Sequence, residues 1–184
     1  MRVMCLSGSA SPQSQTRALV DHVRRLLEAR GHSVLVWDLL SQPLPLADPI
    51  WYGAQEPHPD GQVREFIGSV AAAGAVVLAT PAHHASYSGL LKNALDHLSC
   101  DAFSSKAVGL VSNGGGIRGA SLPCEHLRSV VKALSGWATP TQVATGDADY
   151  AEEGLTLTLR SEAVMSRCED MVEELMWFAQ RTGP

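Results

Sequence analysis

Ala75-Val76-Val77-Leu78-Ala79-Thr80 decides the fold, because five apolar residues run without interruption into a threonine. A strand with one wet face alternates apolar and polar residues. This one does not, so both its faces are covered, as in the middle of a parallel sheet. Working outward, Arg2–Ser7, Ser33–Asp38, Ala107–Ser112 and, more weakly, Thr139–Ala144 also read as strands. Helical patterns separate them. Leu19, Val23, Leu26 and Leu27 recur at helical spacing and stop before Gly31, which can end a helix in the left-handed conformation. Val164, Cys168, Met171, Val172, Leu175 and Phe178 repeat the pattern near the end of the chain. Strands alternating with helices imply right-handed crossovers and an α/β, doubly wound parallel sheet with helices on both faces.

Composition narrows the function. With 184 residues and 19.6 kDa, the chain is expected to form one domain over residues 1–184, and 45% hydrophobic with 18% charged residues suits a soluble globular protein. A formal net charge of -5 and the lack of a basic run exclude a nucleic-acid partner. The longest apolar run, Val70 to Ala79, has ten residues, about half the roughly 20 a membrane span needs. Only Val3 to Ser7 lie between Arg2 and Gly8, too short for a signal-peptide core, so a cytoplasmic location is expected. Cys5, Cys100, Cys124 and Cys168 form no CxxC and no zinc spacing, and read as buried thiols in a reducing compartment. Five prolines between Pro43 and Pro59 mark a long loop.

In doubly wound sheets, ligands bind beyond the carboxyl ends of the strands, so the loops after the first, third and fourth strands carry the argument. The first contains five hydroxyls, on Ser7, Ser9, Ser11, Ser14 and Thr16, and no acidic residue. Amides at a helix start lack internal partners and sit at the positive end of the helix dipole, so neutral hydroxyls beside them suit a phosphate. One hydroxyl would suffice for an ordinary N-cap; the excess points to an anion. The loop has neither GxxxxGK[ST] nor GxGxxG, which favours a mononucleotide over a triphosphate or dinucleotide. Gly114, Gly116 and Gly119 do spell GxGxxG, but after the fourth strand and without the expected acidic residue downstream. Those glycines are read as backbone that closely approaches a ligand or takes positive φ.

The remaining candidates have simpler readings. His83 and His84 are adjacent in an extended segment, point to opposite sides and lack an HxH or HExxH partner, so no metal site is expected. Arg118, just past the glycine loop, could meet a nucleotide's 2′-phosphate, since arginine suits bidentate phosphate recognition. Trp51 and Tyr52 could cap a flat ligand or fill a subunit interface. Lys92 and Asn93 are read as helix surface. No nucleophile motif or paired-carboxylate site stands out, so no catalytic side chain is assigned.

The segment Thr80-Pro81-Ala82-His83-His84-Ala85-Ser86-Tyr87-Ser88-Gly89-Leu90-Leu91-Lys92-Asn93-Ala94-Leu95-Asp96, with Gly8-Ser9, Ser14, Thr16 and Ser112-Asn113-Gly114-Gly115-Gly116, resembles the NADPH-dependent FMN reductase family. All three loops match in order and spacing. The likeness is nearest to flavin reductases that serve two-component monooxygenases, such as those of alkanesulfonate utilisation. It implies a flavodoxin-like three-layer fold with five parallel strands in the order 2-1-3-4-5, FMN as flavin, NADPH as hydride donor, and a homodimer or homotetramer. Carried over by position, Ser9, Ser11, Ser14, Gln15 and Thr16 hold the phosphate. Pro81, Ala82, His83 and His84 border the ring and ribityl chain, and Ser112, Gly114, Gly115 and Gly116 flank the isoalloxazine edge. Many relatives have Arg at the position of Ser11 and an aromatic residue at that of His83. A weaker grip on phosphate and ring favours an exchangeable flavin, hence a flavin reductase over a quinone or azo reductase with retained FMN. A flavodoxin-type electron carrier resembles a Thr-x-Thr-Gly-x-Thr loop and a far more acidic chain, neither of which is present.

Overall fold

The computed structural model describes residues 1–54, 56–154 and 156–182, with side chains described for all of these except Ile117, Arg118, Gly119, Glu153 and Thr182. Four strands fall where the apolar runs place them: β1 (Arg2–Ser7), β2 (Ser33–Asp38), β3 (Ala75–Pro81) and β4 (Ala107–Asn113). Two short strands follow, β5 (Trp137–Ala138) and β6 (Val143–Thr145). The order is β2-β1-β3-β4-β5, with β6 also on β4, and every pairing in this sheet is parallel. This is the flavodoxin-like α/β arrangement.

Among the described residues, five helices cover the sheet: α1 (Gln15–Ala29), α2 (Gly61–Ala72), α3 (Gly89–Leu95), α4 (Ile117–Ala133) and α5 (Glu162–Thr182). Alternate side chains of each strand serve opposite faces. Val3, Cys5, Val77, Ala79 and Val111 pack with Leu19, Val23 and Leu27 of α1 and Cys168, Met171, Val172 and Leu175 of α5. Met4, Leu6, Val76, Leu78 and Leu110 pack on the other side with Phe66 of α2, Leu91 of α3 and Leu127 of α4. The unbroken run in β3 is therefore buried on both faces. Each fully buried Leu or Val contributes about 1.5–3 kcal/mol. Gly31, at φ +80, follows α1 as its position suggested. Burial pushes the thiols of Cys5 and Cys168 up to about 12, so both stay protonated and inert.

Two expectations need correction, and one element was not anticipated. Thr139–Ala144 is not one strand: Pro140 has no amide to donate, and Arg128 binds the carbonyls of Thr139 and Pro140 while Glu174 takes the amide and hydroxyl of Thr141. These contacts separate β5 from β6. Cys100 is exposed, so only three of the four free thiols are buried. An antiparallel hairpin, β7 (Tyr150–Glu153) and β8 (Thr156–Leu159), stands outside the main sheet, with Gly154 at φ +63 in its turn.

Strand ends and helix starts are tied at the top of the sheet. Ser14 caps α1 by accepting from the Arg17 amide at 3.2 Å, and Ser88 caps α3 by accepting from Leu91 at 3.1 Å. Gly8 lies between them, donating to the Ala79 carbonyl at 2.8 Å and accepting from the Ser88 hydroxyl at 2.6 Å. A Cβ there would stand 2.8 Å from the Leu91 Cβ and 3.1 Å from the Ala79 oxygen. Lysine and aspartate of the signature segment pair on the surface, Lys92 to Asp96 at 2.6 Å. Asn93 instead holds the proline-rich loop, accepting from the Ala47 amide at 2.9 Å and donating to the Pro45 carbonyl at 2.8 Å.

Gly8→Ala is expected to cost about 1–3 kcal/mol, read from the urea midpoint, because backbone and a Cβ must shift to admit the methyl group; an unchanged midpoint contradicts this packing. Burial and Arg25 hold His22 below the ordinary imidazole value, and burial with the N-terminal amine does the same for His32. Each takes up its proton at higher pH when unfolded than when folded, so stability is full above the unfolded value of about 6.5 and declines as pH falls through it. A chemical-denaturation series from pH 8 to 5 on wild type and the His22→Asn, His32→Asn double variant should show the shallower decline in the variant.

Candidate functional site

A cleft of about 500 Å³ opens at the carboxyl ends of β1, β3 and β4. It is lined by Ser9, Ser11, Ser14, Gln15 and Thr16 from the first loop, by Pro81 and His83 from the third, by Asn113 at the end of β4, and by Glu152 and Leu157 of the hairpin. Seven of the expected residues thus meet in one place. The other six lie around it: Ala82, His84, Ser112, Gly114, Gly115 and Gly116 are not in its wall.

The first loop is built from its own polar groups and from Arg17. Ser9 accepts the Ser11 amide at 3.3 Å, and the Ser11 hydroxyl donates to the Gln13 carbonyl at 2.5 Å. Arg17 pairs with Asp38 at 2.8 Å and donates to the carbonyls of Ser11 and Pro12. In a trans peptide the N–H points opposite to the C=O, so the Gln13 amide faces away from Arg17. The amides of Gln15 and Thr16, in the first turn of α1, have no intrahelical acceptor. Arg17 therefore shapes the loop from behind while amides and hydroxyls face forward. Sequence reasoning missed Arg17, and only its position three residues after the cap Ser14 hinted at it.

Across the cleft, Thr16 donates to Asn113 Oδ1, Asn113 Nδ2 donates to Gln15 Oε1 at 3.1 Å, and Gln15 Nε2 donates to Asp147 Oδ1 at 2.9 Å. This chain joins the start of α1 to the ends of β4 and β6. Ser112 does not share in it. Its hydroxyl is buried, donating to the Ala120 carbonyl and lying 3.1 Å from Cys124 Sγ, whose thiol burial lifts to about 11.

The third loop folds into a tight turn. His83 and Ser86 exchange backbone bonds of 2.8 and 3.0 Å around His84 and Ala85, both left-handed at φ 50 and 63. Ser86 reaches His126 of α4 at 3.0 Å, while Thr80 Oγ1 accepts the Ser88 amide at 2.9 Å. His84 is exposed at the turn. Among the described residues no three His, Cys, Asp or Glu could share a metal ion.

The glycine loop serves by leaving space, and its φ values are not left-handed. A Cβ on Gly114 would stand 2.8 Å from the Ala82 Cβ, so this glycine lets the loops after β3 and β4 close together; Ala82 also donates to the Asn113 carbonyl at 2.7 Å. A Cβ on Gly115 or Gly116 would meet nothing within 4 Å, which leaves room above them for a flat ligand. The Arg118 side chain, expected at a 2′-phosphate, lies outside the described residues. Trp51 and Tyr52 line a different cavity of about 450 Å³ with His58, Arg64 and His97, so they do not cap this cleft within one chain.

These residues fit a flavin mononucleotide. Ser7 Oγ, buried where β1 enters the loop, has no hydrogen-bond partner. Neutral donors cluster at the start of α1, and the open space over Gly115 and Gly116 follows at the ring end. Ser9, Ser11, Ser14, Gln15 and Thr16 could hold the phosphate, and Pro81, His83 and Asn113 the neighbouring part of the molecule.

Comparison with known proteins agrees. The FMN-dependent NADPH-azoreductase of Staphylococcus haemolyticus is 37% identical over 186 residues, covering 99% of this chain and 97% of the relative. The protein of the same description from Staphylococcus aureus strain USA300 is 35% identical over the same shares. FerB, a flavoenzyme NAD(P)H:(acceptor) oxidoreductase from Paracoccus denitrificans, superposes with a TM-score of 0.77 at 20% identity, covering 100% of this chain and 99% of that one. The apo form of an NADH:FMN oxidoreductase superposes with a TM-score of 0.76 at 21% identity, over 98% of this chain and 89% of the other. The sequence profile of NADPH-dependent FMN reductases matches residues 1–149, and the chain belongs to that family.

Proposed function

We propose that the protein is an NAD(P)H:FMN oxidoreductase whose FMN binds with its phosphate against Ser9–Thr16. The observation that carries this is the convergence of the first-turn amides of α1 and four loop hydroxyls on one cleft at the sheet end. When bound, FMN supplies a redox centre that accepts hydride from a nicotinamide and passes electrons to an acceptor. The protein's share is alignment. Arg17 sets the loop, the Thr16–Asn113–Gln15–Asp147 chain fixes the cleft width, and the His83–Ser86 turn presents His83 at its wall. No side chain is required as general acid or base for hydride transfer.

Two acceptors are in play. Release of reduced FMN to a partner monooxygenase is supported by the first loop, in which Ser11 stands where many relatives carry Arg. Azo-dye reduction is supported by the relatives, which match almost end to end and are named azoreductases. Self-association is supported by Leu46, Ile50 and Tyr52 of the proline-rich loop, which are 87%, 72% and 64% exposed. Free thiols and the absence, among described residues, of a helix long and apolar enough to cross a membrane accord with work in the cytoplasm.

Mixing the protein with NADPH and following the nicotinamide absorbance tests the proposal. Oxidation that saturates with added FMN is expected. Oxidation only with an azo dye or quinone, on a flavin that survives gel filtration, transfers the role to the second reading; none under either condition overturns both. Arg17→Met should weaken FMN binding about five- to thirtyfold, the loss of 1–2 kcal/mol of loop ordering, while riboflavin, which has no phosphate, is bound as before. Equal losses for both flavins, by fluorescence titration, would contradict a phosphate-specific role.

A further inference from the structure

The hairpin brings a carboxylate to a cleft that is otherwise suited to an anion. Side chains of β7 and β8 alternate between two faces, and Tyr150 paired with Leu159 marks the inner one: both are buried. Tyr150 is fixed there by its hydroxyl, 2.8 Å from Thr145 Oγ1, and burial pushes its pKa above the ordinary phenol value. Two residues along each strand, on the same inner face, stand Glu152 and its partner Leu157, and these are the two hairpin residues in the cleft wall. Glu152 makes no ion pair among the described residues. No lysine or arginine is among the residues of that wall, since Arg17 is engaged with Asp38 and with the backs of the loop carbonyls.

Resting on the flavin reading above, we propose that Glu152 is a specificity-determining residue that sets how tightly FMN is held. Its carboxylate shares the cleft wall with the donors of Ser9–Thr16 and opposes the phosphate dianion that they attract. Attraction fixes where the phosphate goes; opposition limits how long it stays. The flavin is thereby a substrate that arrives oxidised and leaves reduced, the behaviour required when the consuming reaction is carried out by another protein. Tyr150 anchors the strand that carries Glu152, so the charge belongs to the cleft wall itself.

Equilibrium titration of FMN and riboflavin into wild type, Glu152→Gln and, as a charge control remote from the cleft, Glu65→Gln tests this at low and high salt. Glu152→Gln is expected to bind FMN about three- to tenfold tighter at low salt, the size of one like-charge contact in a partly exposed site, with the gain shrinking at about 1 M salt. Riboflavin affinity and the Glu65→Gln variant should match wild type. FMN affinity unchanged or lowered in Glu152→Gln overturns the proposal, as does an equal gain for riboflavin, which would make the effect one of shape. Failure of wild type to bind either flavin would instead overturn the flavin reading on which it rests.

Discussion

Gly8 is the point at which the sheet becomes a site. Its amide holds the end of β3, its carbonyl holds the cap of α3, and the absence of a side chain lets Leu91 press against its α-carbon. One residue thus fixes the loop after β1 against the loop after β3. Gly114 repeats the device between the loops after β3 and β4, with Ala82 in the place of Leu91. Two close backbone approaches, each dependent on a missing methyl group, determine where three loops converge, and the cleft is what remains between them.

The electrostatics of that cleft are unusual for a phosphate site. Attraction comes from a helix start and from hydroxyls, groups that carry only partial charge, and the nearby guanidinium of Arg17 faces backward. A carboxylate, that of Glu152, shares the cleft wall. Hydrogen bonds to a charged group are worth about 1.5–3 kcal/mol each, whereas association costs about 4–15 kcal/mol, so a few such bonds without a full positive charge leave little surplus for retention. On the proposed reading, such weak retention suits a reductase that hands its flavin on and is a handicap for one that keeps it.

Much of this was legible in the chain. The four main strands declared themselves through continuous apolar runs, and the first loop through its hydroxyls. The fifth strand misled because its break depends on Arg128 and Glu174, which are remote in sequence from Thr141 or lie on another element. The hairpin escaped notice although Leu157 and Leu159 alternate with threonines beside Gly154, since its anchor, Tyr150 on Thr145, is a tertiary contact. Ser112 and Asn113 show a subtler limit. Val108, Leu110 and Ser112 form one row of β4, and Val111 and Asn113 the other. In a strand buried on both faces both rows are apolar, so the sequence does not tell which row meets α1. The fold turns Asn113 toward Thr16 and Ser112 toward Cys124.

A crystal structure with FMN measures the central claim most directly. The phosphate should lie within hydrogen-bond reach of the Gln15 and Thr16 amides and of the Ser9 or Ser14 hydroxyl, with the ring over Gly115 and Gly116. A phosphate directed into solvent, or a flavin seated beside Trp51, His58 and His97, would contradict it.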